Sequence, residues 1–157
     1  MSEALWPDAE GDAAHSAFTT TLQRLRRLIG EEVLLFGDGR LTLDTRRAWV
    51  DVWLLQRLLS EAERGPSAEE SEARLHQALD RYHGPLLASE DDAPWLRGPR
   101  QRLRERVARV VAACGRRLQD AGHQAQAVAL CHTLESVDPA AREWLKHAKI
   151  SGGDFLE

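Results

Sequence analysis

Ser16, Thr20, Gln23 and Arg27 recur at three- and four-residue intervals, with Thr19 and Arg24 beside them. On an α-helix that spacing gathers all six on one side. Hydroxyls, an amide and guanidinium groups are the side chains that reach phosphate oxygens and base edges, so the set suits a nucleic-acid groove. Arg40, just beyond a Gly-Asp-Gly turn, is a further cation placed to reach an adjacent phosphate. The pattern also fits an ordinary solvated helix face, because any surface helix turns polar residues outward.

Other chemistry is sparse. His15, His76, His83, His123, His132 and His147 show no metal-ligand spacing. There is no nucleophile motif and no glycine-rich phosphate loop after a strand, so neither an enzyme nor a metal or other cofactor is expected. Cys114 and Cys131 lie in separate helical patterns and read as buried, inert thiols. Trp49, Trp53, Trp95 and Trp144 read as core or interface anchors. Eight arginines fall between Arg97 and Arg117 against the single acid Glu105, and Arg102, Arg106, Arg109 and Arg116 share one flank able to track phosphates. Acidic residues at Glu69, Glu70, Glu72 and Glu90 to Asp92 offer these arginines pairing instead.

The elements that must position these groups are well punctuated. Phe18, Leu22, Leu25 and Ile29 recur at helical spacing between a capping Asp12 and Gly30, predicting a helix over 12–29 with those four facing inward. Such an apolar face needs cover, for which the later helices are the candidates. Residues 32–36 and 40–44 flank Gly37-Asp38-Gly39 and read as a hairpin. Asp51 opens a helix carrying Leu54, Leu55, Leu58, Leu59 and Ala62, stopped at Gly65-Pro66. Ser67 and Glu70 form a capping-box pattern ahead of Leu75, Ala78, Leu79 and Tyr82. A long helix is expected after Pro99, burying Leu103, Val107, Val110, Cys114 and Leu118 up to Gly122. A shorter one covers 124–136, and Asp138-Pro139 reads as the cap and first residue of the last.

With 157 residues, 43% of them hydrophobic, the chain can bury a substantial core. No apolar run approaches the roughly 20 residues that cross a bilayer, and no signal peptide is apparent, so a soluble cytoplasmic protein without a membrane partner is expected. A net charge of −4 argues against indiscriminate nucleic-acid binding.

The stretches "LWPDAEGDAAHSAFTTTLQRLRRLIG", "GRLTLDTRRAWVDVWLLQRLL" and "ALDRYHGPLL" together resemble the bacterial transcriptional activator domain and the end of the winged helix that precedes it in SARP-type antibiotic regulators. The resemblance implies a DNA-recognition helix around Ala13 to Ile29, a wing over Val33 to Leu43, and a repeat-like bundle from Asp51 onward. Ser16, Thr19, Thr20, Gln23, Arg24, Arg27 and Arg40 would then face DNA. The stretch "ACGRRLQDAGHQAQAVALCHTLESVDPAAREWL" is similar to a tetratricopeptide repeat, with Gly115 and Ala127 at the helix crossing, Ala125 and Leu130 filling the pair, and Pro139 closing the unit.

The expected fold is therefore mainly α: a tetratricopeptide-like helical array over 48–150, a partial winged helix of recognition helix and β-hairpin wing over 1–47, and a flexible tail over 151–157. The expected role is that of a module of a bacterial transcriptional regulator, with DNA as partner in the full-length protein and a protein partner or homodimer besides. A tetratricopeptide-like interaction or dimerisation module without DNA binding of its own is the alternative. General nucleic-acid binding through Arg102 to Arg116 is a third reading.

Overall fold

A computed structural model of the chain describes residues 5–6, 8–37, 40–90 and 92–147. The chain divides into two compact units, Met1–Val50 and Asp51–Glu157. The tail assigned to 151–157 and the turn residues Asp38 and Gly39 lie outside the described residues.

In the first unit, helix α1 spans Gly11–Ile29. Its N-cap is Glu10, with Asp12 in the first turn rather than at the cap. Asp12 there still faces the positive end of the helix dipole. Gly30 ends the helix at φ +99°, and its N–H donates to the Arg26 carbonyl at 2.8 Å. A side chain at that φ would be strained, so glycine is required. A 3-10 turn, Glu31–Val33, leads into β1 (Leu34–Gly37), which pairs antiparallel with β2 (Arg40–Leu43). The expected first strand thus begins two residues late, because Glu32 and Val33 belong to the turn. Leu34 opposite Leu43 and Phe36 opposite Leu41 share one face, and Leu35 opposite Thr42 and Gly37 opposite Arg40 the other.

Asp44 fastens the base of the hairpin. Its N–H donates to the Val33 carbonyl at 2.8 Å. Its carboxylate accepts from the backbone N–H and Nε of Arg46, both at 3.0 Å, and from Nη2 at 2.9 Å. These bonds favour the ionised form and hold the Asp44 carboxyl at about 2.

The second unit is a bundle of α2 (Asp51–Arg64), α3 (Ala68–Leu79), α4 (Pro94–Asp120), α5 (Gln124–Val137) and α6 (Ala141–His147). Helix α4 is central, packing on all four others. That position explains why it buries Val107, Ala108, Val110, Val111, Ala112 and Leu118 on more than one side. Leu55, Leu58, Leu59 and Ala62 from α2, Leu75 and Leu79 from α3, and Leu130 and Leu134 from α5 complete one continuous core. A fully buried leucine stabilises by roughly 1.5–3 kcal/mol, so this core carries the unit. The Ser67 hydroxyl caps α3 by accepting from the Glu70 N–H at 3.2 Å, as its sequence pattern predicts.

Several expectations are corrected. Helix α4 starts at Pro94, and Pro99 lies inside it. Pro99 lacks an N–H, which deprives only the Trp95 carbonyl, a turn back near the exposed helix start, so the helix continues. Asp138-Pro139 does not begin α6, which starts at Ala141, whose N–H donates to the Asp138 carbonyl at 2.9 Å. Ala125 is exposed, on the outer side of the first turn of α5, rather than filling the helix pair. Trp49 and Trp95 are exposed and outside the core, whereas Trp144 packs partly buried against it.

Candidate nucleic-acid interface

The outward face of α1 is as its spacing predicts. Ser16, Thr19, Thr20, Gln23, Arg24 and Arg27 are all exposed, as is Arg40 on β2. Among the described residues Arg24, Arg27 and Arg40 have no acidic partner, so their guanidinium N–H groups are available to an incoming anion. Arg46 and Arg47 in the same unit are engaged, by Asp44 and by Asp44 with Glu32 respectively. Basic residues within one unit are therefore of two kinds, those that hold the hairpin base and those that do not.

Thr19 differs from its neighbours chemically. Its hydroxyl donates to the His15 carbonyl at 3.0 Å. A phosphate oxygen only accepts, so Thr19 can serve a base amino group but not a phosphate unless that bond breaks. Among the described residues the Ser16 and Thr20 hydroxyls make no such bond, so each can donate as well as accept.

The opposite side of α1 departs from expectation. Phe18 and Leu22 are half-buried, but Leu25 and Ile29 are 36% and 40% exposed and Leu28 is 83% exposed. The inward face is thus narrower than the apolar periodicity implies. Sequence reasoning also passed over Arg26, whose Nε is buried without a hydrogen-bond partner while the residue stays half-buried.

Most of the arginines of α4 are engaged within the bundle, although the flank of Arg102 and Arg109 is not. Arg106 donates through Nη2 to the Ser60 hydroxyl at 2.6 Å and reaches Glu63 at 3.5 Å. Arg104 donates through Nε to Asp138 at 2.7 Å. Arg117 donates to the Ser71 hydroxyl at 2.6 Å and to the carbonyls of Gly65 and Ser67, tying the α2–α3 turn to α4. Arg97 and Arg100 pair with Asp92, as the acidic stretch around it predicts. Arg102 and Arg109 remain exposed. A continuous phosphate-tracking stripe from Arg102 to Arg116 is therefore interrupted at Arg106.

Asp138 is the polar residue that sequence reasoning placed in the wrong role. It is 1% exposed, and its Oδ2 accepts from the Tyr82 hydroxyl at 2.6 Å as well as from Arg104. Burial and the neighbouring carboxylate push the Tyr82 phenol well above its ordinary value, so it stays protonated and donating. Burial pushes both Cys114 and Cys131 up to about 11, which leaves them as thiols of low reactivity at neutral pH. Among the described residues no group of three His, Cys, Asp or Glu could hold a metal ion, and no helix is long and apolar enough to cross a membrane.

Residues 50–151 match the bacterial transcriptional activator domain. Over 108 residues, 67% of its length, the chain is 30% identical to the regulatory protein AfsR of Streptomyces griseus. It spans only 11% of that much longer relative. The match begins within a residue of the start of α2 and takes in all five helices of the bundle built around α4, so the chain belongs to the bacterial transcriptional activator domain family.

Proposed function

We propose that the chain serves a bacterial transcriptional regulator by presenting the Ser16–Arg27 face of α1 to DNA, with Arg40 on the hairpin reaching a neighbouring phosphate. The observation that carries this reading is the contrast among the arginines of the first unit. Arg24, Arg27 and Arg40 are exposed and lack a described acidic partner, whereas Arg46 and Arg47 are held by carboxylates. Gln23 adds the amide that pairs with adenine edges in a major groove. The helix followed directly by a hairpin is the order that a recognition helix and wing require.

The test is selection from a randomised duplex DNA pool by this chain, followed by gel shift of the enriched duplex with the wild type and with an Arg24→Ala, Arg27→Ala variant. Loss of the shifted band in the variant supports the assignment. Unchanged binding, or no enrichment by the wild type, counts against it.

A second reading, contact with a protein partner or a second copy of the chain through a tetratricopeptide-like array, is favoured by one packing detail. Gly115 on α4 and Ala127 on α5 are both buried in a tightly packed helix pair, as small residues at a repeat's crossing would be. Helix pairs of this kind commonly present binding surfaces. Light scattering that finds a strictly monomeric chain, together with strong sequence-specific DNA affinity, would remove this reading.

A further inference from the structure

On one side of the bundle, the first half of α4 and Trp144 of α6 line a cleft of about 450 Å³. Its polar lining comes from Arg97, Arg100, Gln101 and Arg104, which recur at helical spacing along one edge of α4, with Asp92 as the only acidic lining residue described. The volume falls in the range of small-molecule sites, about 300–1,000 Å³.

Two of the guanidiniums are fixed from behind. Arg100, 15% exposed at its side chain, donates through Nε to the Leu86 carbonyl at 2.8 Å and through Nη2 to the carbonyls of Leu87 and Glu90. Among the described residues its Nη1 meets Asp92 alone, at 3.5 Å. The exposed Asp92 carboxylate also accepts from Arg97 Nε at 2.9 Å, so a bound anion would take the place of Asp92 there. Arg104 spends Nε on Asp138, and among the described residues its two Nη groups have no partner. A guanidinium carries five N–H donors in a rigid fork, so anchoring one side aims the other without further loss of freedom.

The loop gripped by Arg100 is strained. Leu87 sits at φ +51°, a left-handed conformation that disfavours a branched apolar side chain. Strain held in place by surrounding bonds recurs at ligand sites, where it keeps a geometry ready for use. The half-buried Trp144 also lines the cleft and supplies an aromatic ring there.

We propose that this cleft binds a small organic anion with a planar ring, the ring against Trp144 and its phosphate or carboxylate among Arg97, Arg100 and Arg104. Gln101 supplies a neutral contact beside them. The cleft lies wholly within the helical bundle and does not depend on the DNA-facing role of α1.

The test follows the indole N–H resonance of Trp144, assigned by its disappearance in Trp144→Phe, during titration of the full chain with adenosine monophosphate, with 2-naphthoate, and with inorganic phosphate. A saturable shift with the nucleotide alone assigns a phosphate source, and one with naphthoate alone an aromatic carboxylate. A shift with both identifies a receptor for the shared ring-plus-oxyanion chemistry. Arg97 is well exposed, so Arg97→Gln should leave the spectrum of a folded protein while weakening binding about tenfold, with Arg97→Lys recovering part of the loss. No shift with either ring-bearing probe up to about 5 mM, where even weak millimolar sites are detected, overturns the proposal. So does inorganic phosphate competing as well as the ring-bearing ligand, or binding indifferent to Arg97→Gln.

Discussion

Tyr82 and Asp138, 56 residues apart in sequence, meet inside the bundle through a 2.6 Å hydrogen bond from the phenol to Oδ2. The bond links a residue three positions beyond the end of α3 to the turn before α6, and Arg104 of α4 completes it from the other side. Three separate segments thus converge on one carboxylate that is 2% exposed at its side chain.

Removing either side of this junction should have unequal effects. Tyr82→Phe deletes one donor but leaves Asp138 paired with Arg104, so a loss of about 1–2 kcal/mol is expected. Asp138→Ala strands a partly buried guanidinium together with the buried phenol and should cost roughly 3 kcal/mol or more. Urea denaturation of the two variants measures both, and equal losses would show that Arg104 contributes nothing to the junction.

The α2–α3 turn predicts a steric result. A Cβ at Gly65 would stand 2.5 Å from the Ser71 hydroxyl oxygen, 3.0 Å from the Ser71 backbone nitrogen and 3.1 Å from its Cα. Gly65→Ala should therefore destabilise by about 1–3 kcal/mol, as overpacking does. Adding Ser71→Ala removes only the first clash and the hydroxyl that Arg117 donates to, so the double variant should not recover wild-type stability. Thermal melts of the single and double variants decide it, and full recovery would mean that the backbone gives way easily.

Asp44 gives the hairpin an acid limit. Its folded pKa is depressed from 3.8 to about 2, so the unfolded chain binds the proton first as pH falls. The contribution of Asp44 is whole above about pH 4, declines through the interval between, and is gone below about 2. Amide shifts of residues 34–37 and 40–43 followed by NMR should report this loss. In Asp44→Asn, which cannot ionise, the acid-dependent change should shrink to what the Glu32–Arg47 pair contributes, and the hairpin should already be weakened at neutral pH.

Much of the helical bundle could be read from the chain because its apolar residues repeat at 3.6-residue spacing and its turns carry Gly-Pro or Ser caps. The Ser67 cap, the Gly30 stop and the buried faces of α2 and α3 follow from that local chemistry. The start of α4 did not, since Gly98-Pro99 resembles a helix boundary. Leu96, buried and seven residues before Leu103, continued the stripe and was the available signal. Asp138 was misread for a different reason. Asp-Pro is a local capping pattern, whereas the partners that claim this carboxylate are Tyr82 and Arg104, and no periodicity encodes such distant pairing. The same limit applies to α4, where sequence shows an arginine cluster and only the fold shows that Arg106 and Arg117 are held by Ser60 and Ser71.

That division among the arginines yields the prediction that separates the DNA readings. Each phosphate contact contributes about 0.9 to the slope of log affinity against log salt on duplex DNA. If Arg24 and Arg27 meet phosphates, the Arg24→Ala, Arg27→Ala variant should lower the slope by about 1.8 on the selected duplex. Arg102→Ala with Arg109→Ala, which removes exposed cations from α4, should leave it unchanged. If the slope instead falls with the α4 pair and for any duplex sequence, the contact is general and lies on the bundle. A smaller loss of slope with a large loss of affinity in the α1 variant would place its arginines on base edges, because a bidentate contact to guanine discriminates by about 1–3 kcal/mol. Fluorescence anisotropy at a series of salt concentrations distinguishes these outcomes with the same set of proteins.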